Sequence, residues 1–372
     1  MPTHNWDEPF VLYSNWQTDI QSAGSVKESR AAKTDRPSRV AEPVALTDTV
    51  AKGRLASIYI SRLGQAKGMF PLLCDEVTTT NADDTTFSGD FAYRRFYAGG
   101  RAAISTADNS SFEYGVIASI SDTELSLTEA LTASFPAGSK ISPVMEIYLT
   151  LETELEPKTD SVISVPFSVE EVVGGTAIPA SSESYTAYPT LPEYYDWGDV
   201  RKKLLTQGNS ATLNTAKYFN TFSAYPLQSY SIPMILERDE FWDICQLFDS
   251  VKGKCKSFWA TSPTSDFTTT ALTTGSITVT SVGPESAWDE VKALAIVKTN
   301  GTVVIGIVGS VARGAGLDVV TLSNTIPPIT LAEIRRTSLG VLSRFTSDEM
   351  KESWLTPSVV EMTMEITEAL DI

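Results

Sequence analysis

GVIASI at residues 115–120 and GIVGSV at residues 306–311 repeat one run of side-chain sizes, a glycine followed by small and branched apolar residues, 191 positions apart. An accident of composition would stand alone, whereas a repeated unit would bring other features along at similar offsets. Others follow in order. AISTADNSSFEYG (103–115) and AIVKTNGTVVIG (295–306) each read as a short apolar strand, a turn, and a second strand running into the glycine. Asn300-Gly301 is a strong hairpin signal because both residue types tolerate positive φ. Downstream, ELSLTEAL (124–131) answers LDVVTLSNTI (317–326), both alternating as half-buried strands do.

Further from the echo, periodicity predicts one helix in each copy. TDTVAKGRLASIYISRLGQAKG (47–68) sets Leu55, Ile58, Tyr59 and Leu63 on one face. ERDEFWDICQLFDSVKG (237–253) does the same with Phe241, Ile244, Cys245 and Phe248. Each runs into an aromatic strand, KGMFPLL (67–73) or KSFWATS (256–262), with Phe70 expected to correspond to Phe258. The closing strands TDSVISVPFSVEE (159–171) and TPSVVEMTMEITE (356–368) align without a gap. YSNWQTDI (13–20) against YYDWGDVR (194–201) sets Trp16 opposite Trp197.

Six matches in one order, at offsets drifting only from about 181 to 197, predict an internal duplication. The expected fold is mainly β (α+β): two tandem β-sandwich or open-barrel modules, each with one packed helix. The first repeat spans 10–172 and includes an extended N-terminal arm over 1–45. A linker rich in Ser, Thr, Pro and Gly follows over 173–190, then the second repeat over 191–372. Pro166 in the first closing strand predicts an edge or a bulge.

Composition limits the chemistry. The net charge of −17 repels phosphate backbones, so sequence-specific nucleic-acid binding is not expected. The one histidine, His4, leaves no Ser-His-Asp, Cys-His or histidine-ligated zinc site. Three cysteines, Cys74, Cys245 and Cys255, argue against a disulfide framework. MPTHNWDEPF has no apolar signal region and no run nears the roughly 18 apolar residues of a span, so neither secretion nor membrane insertion is expected. Glu152, Glu154 and Glu156 in LETELEP recur with period two, as on the outer face of a strand. GSVARGAG (309–316) lacks the Lys-Ser/Thr of a phosphate loop. No catalytic, cofactor-binding or metal-binding residues are assigned, and the expectation is that the chain is not an enzyme.

Candidate interface residues do stand out. The arm carries Lys27, Arg30, Arg36 and Arg39 in an otherwise acidic protein, suited to an acidic neighbour. Trp16, Tyr194, Tyr195 and Trp197 form aromatic clusters of the kind used at interfaces.

With these residues in view, the chain resembles tail-tip or baseplate structural proteins of tailed bacteriophages, the minor tail protein class. The resemblance rests on a helix flowing into K-x-F-W and D-F (256–267), Thr-rich strands, and a hairpin ending G-I-V (306–308). It continues through F-T-S-D-E (345–349), T-P-S-V-V-E-M-T-M-E-I (356–366) and E-S-R…R-P-S-R (28–39). It implies a virion component, made in the host cytoplasm, forming a ring or hub at the distal tail end. Its implied partners are tail tube, hub, tape-measure and fibre components. Two modules per chain fit a homotrimer with pseudo-six-fold symmetry, or a hexamer. Two other readings stand beside it. One is a tandem β-sandwich binding host glycans through Tyr194, Tyr195, Trp197 and Trp259. The other is a polysaccharide hydrolase using paired carboxylates.

Overall fold

The computed structural model describes residues 6–369 except 23–27, 48–66, 82, 109–110, 150–155, 158–162, 167, 173–183, 186–187, 195–199, 206–207, 214–215, 222–226, 263, 281–287 and 289–290. The helix expected over 47–68 lies almost wholly outside the described residues, as does much of the 173–190 linker.

The first half opens with β1 (Phe10–Asn15), β2 (Thr18–Ser22), β3 (Glu28–Ala32), β4 (Ser38–Glu42) and β5 (Val44–Thr47). It continues with β6 (Gly68–Pro71), β7 (Val77–Thr78), β8 (Thr86–Ser88), β9 (Arg101–Ser105) and β10 (Phe112–Ile120). β11 (Glu124–Leu127), β12 (Lys140–Leu149), β13 (Glu156–Pro157), β14 (Ile163–Pro166) and β15 (Val169–Glu171) complete it. The short β16 (Ser184–Tyr185) and β17 (Tyr188–Pro189) lead into the second half. There β18 (Arg201–Leu205), β19 (Gly208–Leu213), β20 (Ala216–Thr221) and β21 (Leu227–Glu237) precede helix α1 (Arg238–Val251). β22 (Phe258–Thr261), β23 (Thr269–Leu272), β24 (Ser276–Thr280), β25 (Ala293–Lys298) and β26 (Val303–Arg313) come next. β27 (Leu317–Leu322), β28 (Ile334–Phe345), β29 (Glu349–Thr356) and β30 (Val359–Glu368) close the chain. The protein is mainly β, with large antiparallel sheets.

One pairing scheme occurs in both halves. β6–β12–β9–β10–β11–β8 are hydrogen-bonded in that order. β22–β28–β25–β26–β27–β24 are paired likewise. The registers agree too. Leu127 faces Ile117 where Leu322 faces Val308, and each ladder then slips, between Ile117 and Ser119 or between Val308 and Ser310. A side chain at either echo glycine would strike that leucine: a Cβ on Gly115 would sit 2.7 Å from Leu127, and one on Gly306 2.9 Å from Leu322. The glycine is therefore fixed by close packing across a bulged hairpin.

The closing strands share a register as well. Glu156 faces Ser164 and Pro157 faces Ile163, while Ser353 faces Glu361 and Trp354 faces Val360, the same gapless alignment read from sequence. Around Pro43 the first half breaks into β4 and β5, where the second half keeps β21 unbroken. Proline alone does not account for this break, because β21 runs unbroken through Pro233.

Two alignments read from sequence shift. Met145 faces Phe70 and Val341 faces Ala260, so Phe70 takes the place of Ala260, and Phe258 answers Gly68. A slip of two keeps every side chain on its face, so alternation alone does not detect it. Leu12 faces Ala41 where Lys202 faces Tyr230, so Tyr13 answers Lys203 and not Tyr194, while Trp197 lies outside the described residues.

Each half has its own small core, Phe87, Ile104, Ile117 and Phe135 in the first and Ile277, Leu294, Ile296 and Val320 in the second. A larger core joins them, drawing Phe10, Leu12 and Phe70 from the first half and Phe241, Phe248, Trp354 and Ile366 from the second. Helix α1 belongs to that shared core. It starts on a reciprocal Glu237–Glu240 capping box and buries Phe241, Ile244, Cys245 and Phe248, the face expected from sequence.

Candidate functional site: the seam between the two halves

The halves meet along β1. Its sequence FVLYSN alternates, burying Phe10, Leu12 and Ser14 and turning Val11, Tyr13 and Asn15 outward. One edge pairs with β4 of its own half. The other pairs antiparallel with β29 over its full length, from Phe10 opposite Trp354 to Asn15 opposite Glu349. Four strands of the second half (β18–β21–β30–β29) thus run on into β1, β4/β5, β14/β15 and β13 of the first.

Beneath the seam lies a buried ionic cluster contributed by both halves. Arg95 donates to Asp75 at 3.2 Å and to both oxygens of Glu352, at 2.8 and 2.7 Å. Arg238 reaches Asp75 at 2.7 Å and stacks over the Trp354 ring at 4.4 Å, and it also donates to the Cys74 and Pro357 carbonyls. The Trp354 indole N–H donates to Glu352 at 3.1 Å, and the Ser14 hydroxyl to the same carboxylate at 3.3 Å. Asp75 and Glu352 are fully buried. Burial alone would raise Asp75, but Arg95 and Arg238 more than offset it and hold its carboxyl below the ordinary range. Burial pushes Glu352 up, against the pull of Arg95 and the Trp354 donor. Its neighbours Cys74 and Cys245 are raised by burial and remain protonated packing residues.

A second set of contacts ties the arm to the end of α1. The Trp16 indole donates to Asp249 at 3.0 Å, and its backbone N–H to the Asp348 carbonyl at 2.9 Å. Thr18 gives Asp348 two more hydrogen bonds, at 2.9 and 2.7 Å. Arg30 donates to the Lys254 carbonyl at 2.9 Å. Gly253 has φ +62, and a Cβ there would lie 2.8 Å from Asp348 Oδ1 and 3.1 Å from Trp16 Cβ. Only glycine turns the helix end tightly enough to seat the tryptophan.

The structure separates the residues singled out from sequence. Trp16 and Arg30 are engaged within the chain, and Arg39 is 5% exposed. Arg36 is exposed. Tyr194 donates to Asp243 at 2.5 Å, and burial followed by that bond raises its phenol well above its ordinary value. Lys27, Tyr195 and Trp197 lie outside the described residues. Trp259 is 3% exposed and packs edge-on against Tyr188, leaving no open ring for a sugar. Among the described residues, no group of three or more His, Cys, Asp or Glu could hold a metal ion.

Sequence reading missed the Asp75–Arg95–Glu352–Arg238 cluster. Its members lie far apart in sequence and on non-repeating positions. The one available signal was a charged residue on the core phase of an otherwise alternating strand, Glu352 between Met350 and Trp354. No protein-family model matches the chain, and no curated protein matches it.

Proposed function

We propose that the protein is a structural virion component of a phage tail, a duplicated module that forms a ring or hub at the distal tail end. The observation that carries this is the seam. The first strand of one unit pairs with the penultimate strand of a unit having the same pairing scheme, so like units are joined head to tail. Joints of that kind close into rings when the rotation permits. With two units per chain, three chains make a ring that is six-fold in its units and three-fold in its chains. Such a ring can sit between a six-fold tube and a three-fold tip.

The outer face of the joined strands supports the same reading. Val11 faces Glu42 on one side and Ser353 on the other, and Ser353 faces Glu361, which places these residues on one face. Glu42, Glu349, Glu361 and Glu365 are exposed there, with Lys351 among them. A passage lined by such a face repels DNA and does not hold it. Catalysis has no part in this account.

The test is the location of the chain in a phage particle. Antibody-gold labelling and peptide mass spectrometry of purified tails are expected to find it at the distal tip. Its absence from intact virions would overturn the assignment.

A further inference from the structure

The two halves share one ladder and treat its outer face differently. In the first half Val144 faces Pro71 on one side and Arg101 on the other, Arg101 faces Val116, and Glu146 faces Met69. Directly paired residues share a face, and Tyr148 joins it two positions along β12. Met69, Arg101, Val116, Glu146 and Tyr148 are exposed there, Val116 by 41% and Tyr148 by 47%. In the second half Gly340 faces Ala293 as Val144 faces Arg101, and Leu342 faces Trp259 as Glu146 faces Met69. Arg344 therefore answers Tyr148. Ala293, Leu342, Trp259 and Arg344 are all buried.

At its Trp259 end the second-half face is met by an extended segment of its own chain. Tyr188 packs edge-on against Trp259, Thr190 bridges the same residue in parallel, and the Leu191 N–H donates to the Trp259 carbonyl at 2.8 Å. The Glu193 carboxylate ends the run, received by Thr261, Arg335 and Arg336. In the first half the Met69 carbonyl, which answers that of Trp259, takes the Tyr114 hydroxyl at 3.3 Å. We propose that the exposed first-half face binds an extended segment of a different tail protein. That segment carries apolar or aromatic side chains at alternate positions and a carboxylate that pairs with Arg101.

The side chains of this face suit binding. Aromatic residues, methionine and arginine are the types enriched at interface cores. The face also differs from its covered equivalent in charge, with Arg101 in the place of Ala293 and Glu146 in the place of Leu342. Those two charges break up an apolar patch that stands in water until it is covered. They also choose the occupant: Arg101 accepts a carboxylate, and Glu146 beside Met69 rejects one, which fixes the direction in which a segment lies. A ring of three chains repeats the ladder six times and the open face three times, so it offers equal sites to a three-fold component.

This inference rests on the proposed tail assignment and names the surface that receives a neighbour. The test places the photo-crosslinking residue p-benzoylphenylalanine at Val116 or at Tyr148 of the full chain, irradiates purified tails, and identifies the joined peptides by mass spectrometry. Both positions are expected to join one non-identical tail protein, within a single segment that contains Asp or Glu. Arg101→Glu is expected to cut the joined fraction by at least about tenfold while the purified chain melts as the parent does. Changing the partner's acidic residue to Lys then restores it. Tails that contain the chain but yield adducts only with its own copies, or none, overturn the docking site and leave the tail assignment standing. A joined fraction unchanged by Arg101→Glu also overturns it. If the chain is absent from tails, both fall.

Discussion

The opening strands of the two halves hold equivalent places in the ladders and carry opposite kinds of side chain. β1 reads FVLYSN and is covered on both edges by its own chain. β18 reads RKKLL and, among the described residues, is paired on one edge. β29 brings Trp354 and the buried Glu352 to a joint backed by guanidinium groups. A joint made once, as the chain folds, can bury ions and aromatics.

The largest test of that contrast lies in the buried cluster. Arg95→Ala leaves Asp75 short of one partner and Glu352 without its guanidinium, and is expected to destabilise the chain by about 3–5 kcal/mol in denaturant unfolding. A loss under about 1 kcal/mol would mean that the cluster does not hold the halves together.

Acid titration separates the two carboxylates. Asp75 has a lowered folded value, so its contribution is present above the unfolded value of about 3.9 and is lost as pH falls through the folded one. Glu352 has the opposite sign: its contribution is greatest below about 4.3 and declines as pH rises toward its raised folded value. In plots of unfolding free energy against pH, Asp75→Asn should flatten the acid limb. Glu352→Gln should remove the opposing slope. Parallel curves for all three proteins would contradict the assignment.

Smaller effects belong to the arm and the hairpins. Trp16→Phe removes the donor to Asp249 and is expected to cost about 1–3 kcal/mol, with hydrogen exchange rising around residues 12–18. Gly115→Ala and Gly306→Ala push a methyl group against Leu127 and Leu322, flexible side chains that can give way, so each should cost about 1 kcal/mol. Being in separate cores, the two should add within about 0.5 kcal/mol. Unequal costs would break the equivalence of the two hairpins.

What could be read in advance followed the reach of each signal. Alternation and glycine placement revealed strand content, the two hairpins and the gapless match of the closing strands, because those patterns are local. The face of α1 was legible for the same reason. A two-residue slip between Phe70 and Phe258 was invisible, since a period of two reads identically after it. The seam was invisible for a different reason: β1 and β29 lie more than three hundred residues apart, and only the folded sheet brings Leu12 against Glu352. Trp16 and Arg30, singled out as interface candidates, make contacts within the chain.

The central claim is that two like units joined head to tail within one chain continue into a closed ring of chains. Native mass spectrometry of the purified full-length protein tests it most directly. The account predicts a discrete assembly of three chains of 40.4 kDa each, with six-fold modulation in averaged particle images. A stable monomer, or a closed ring with a chain count other than three or six, would contradict it.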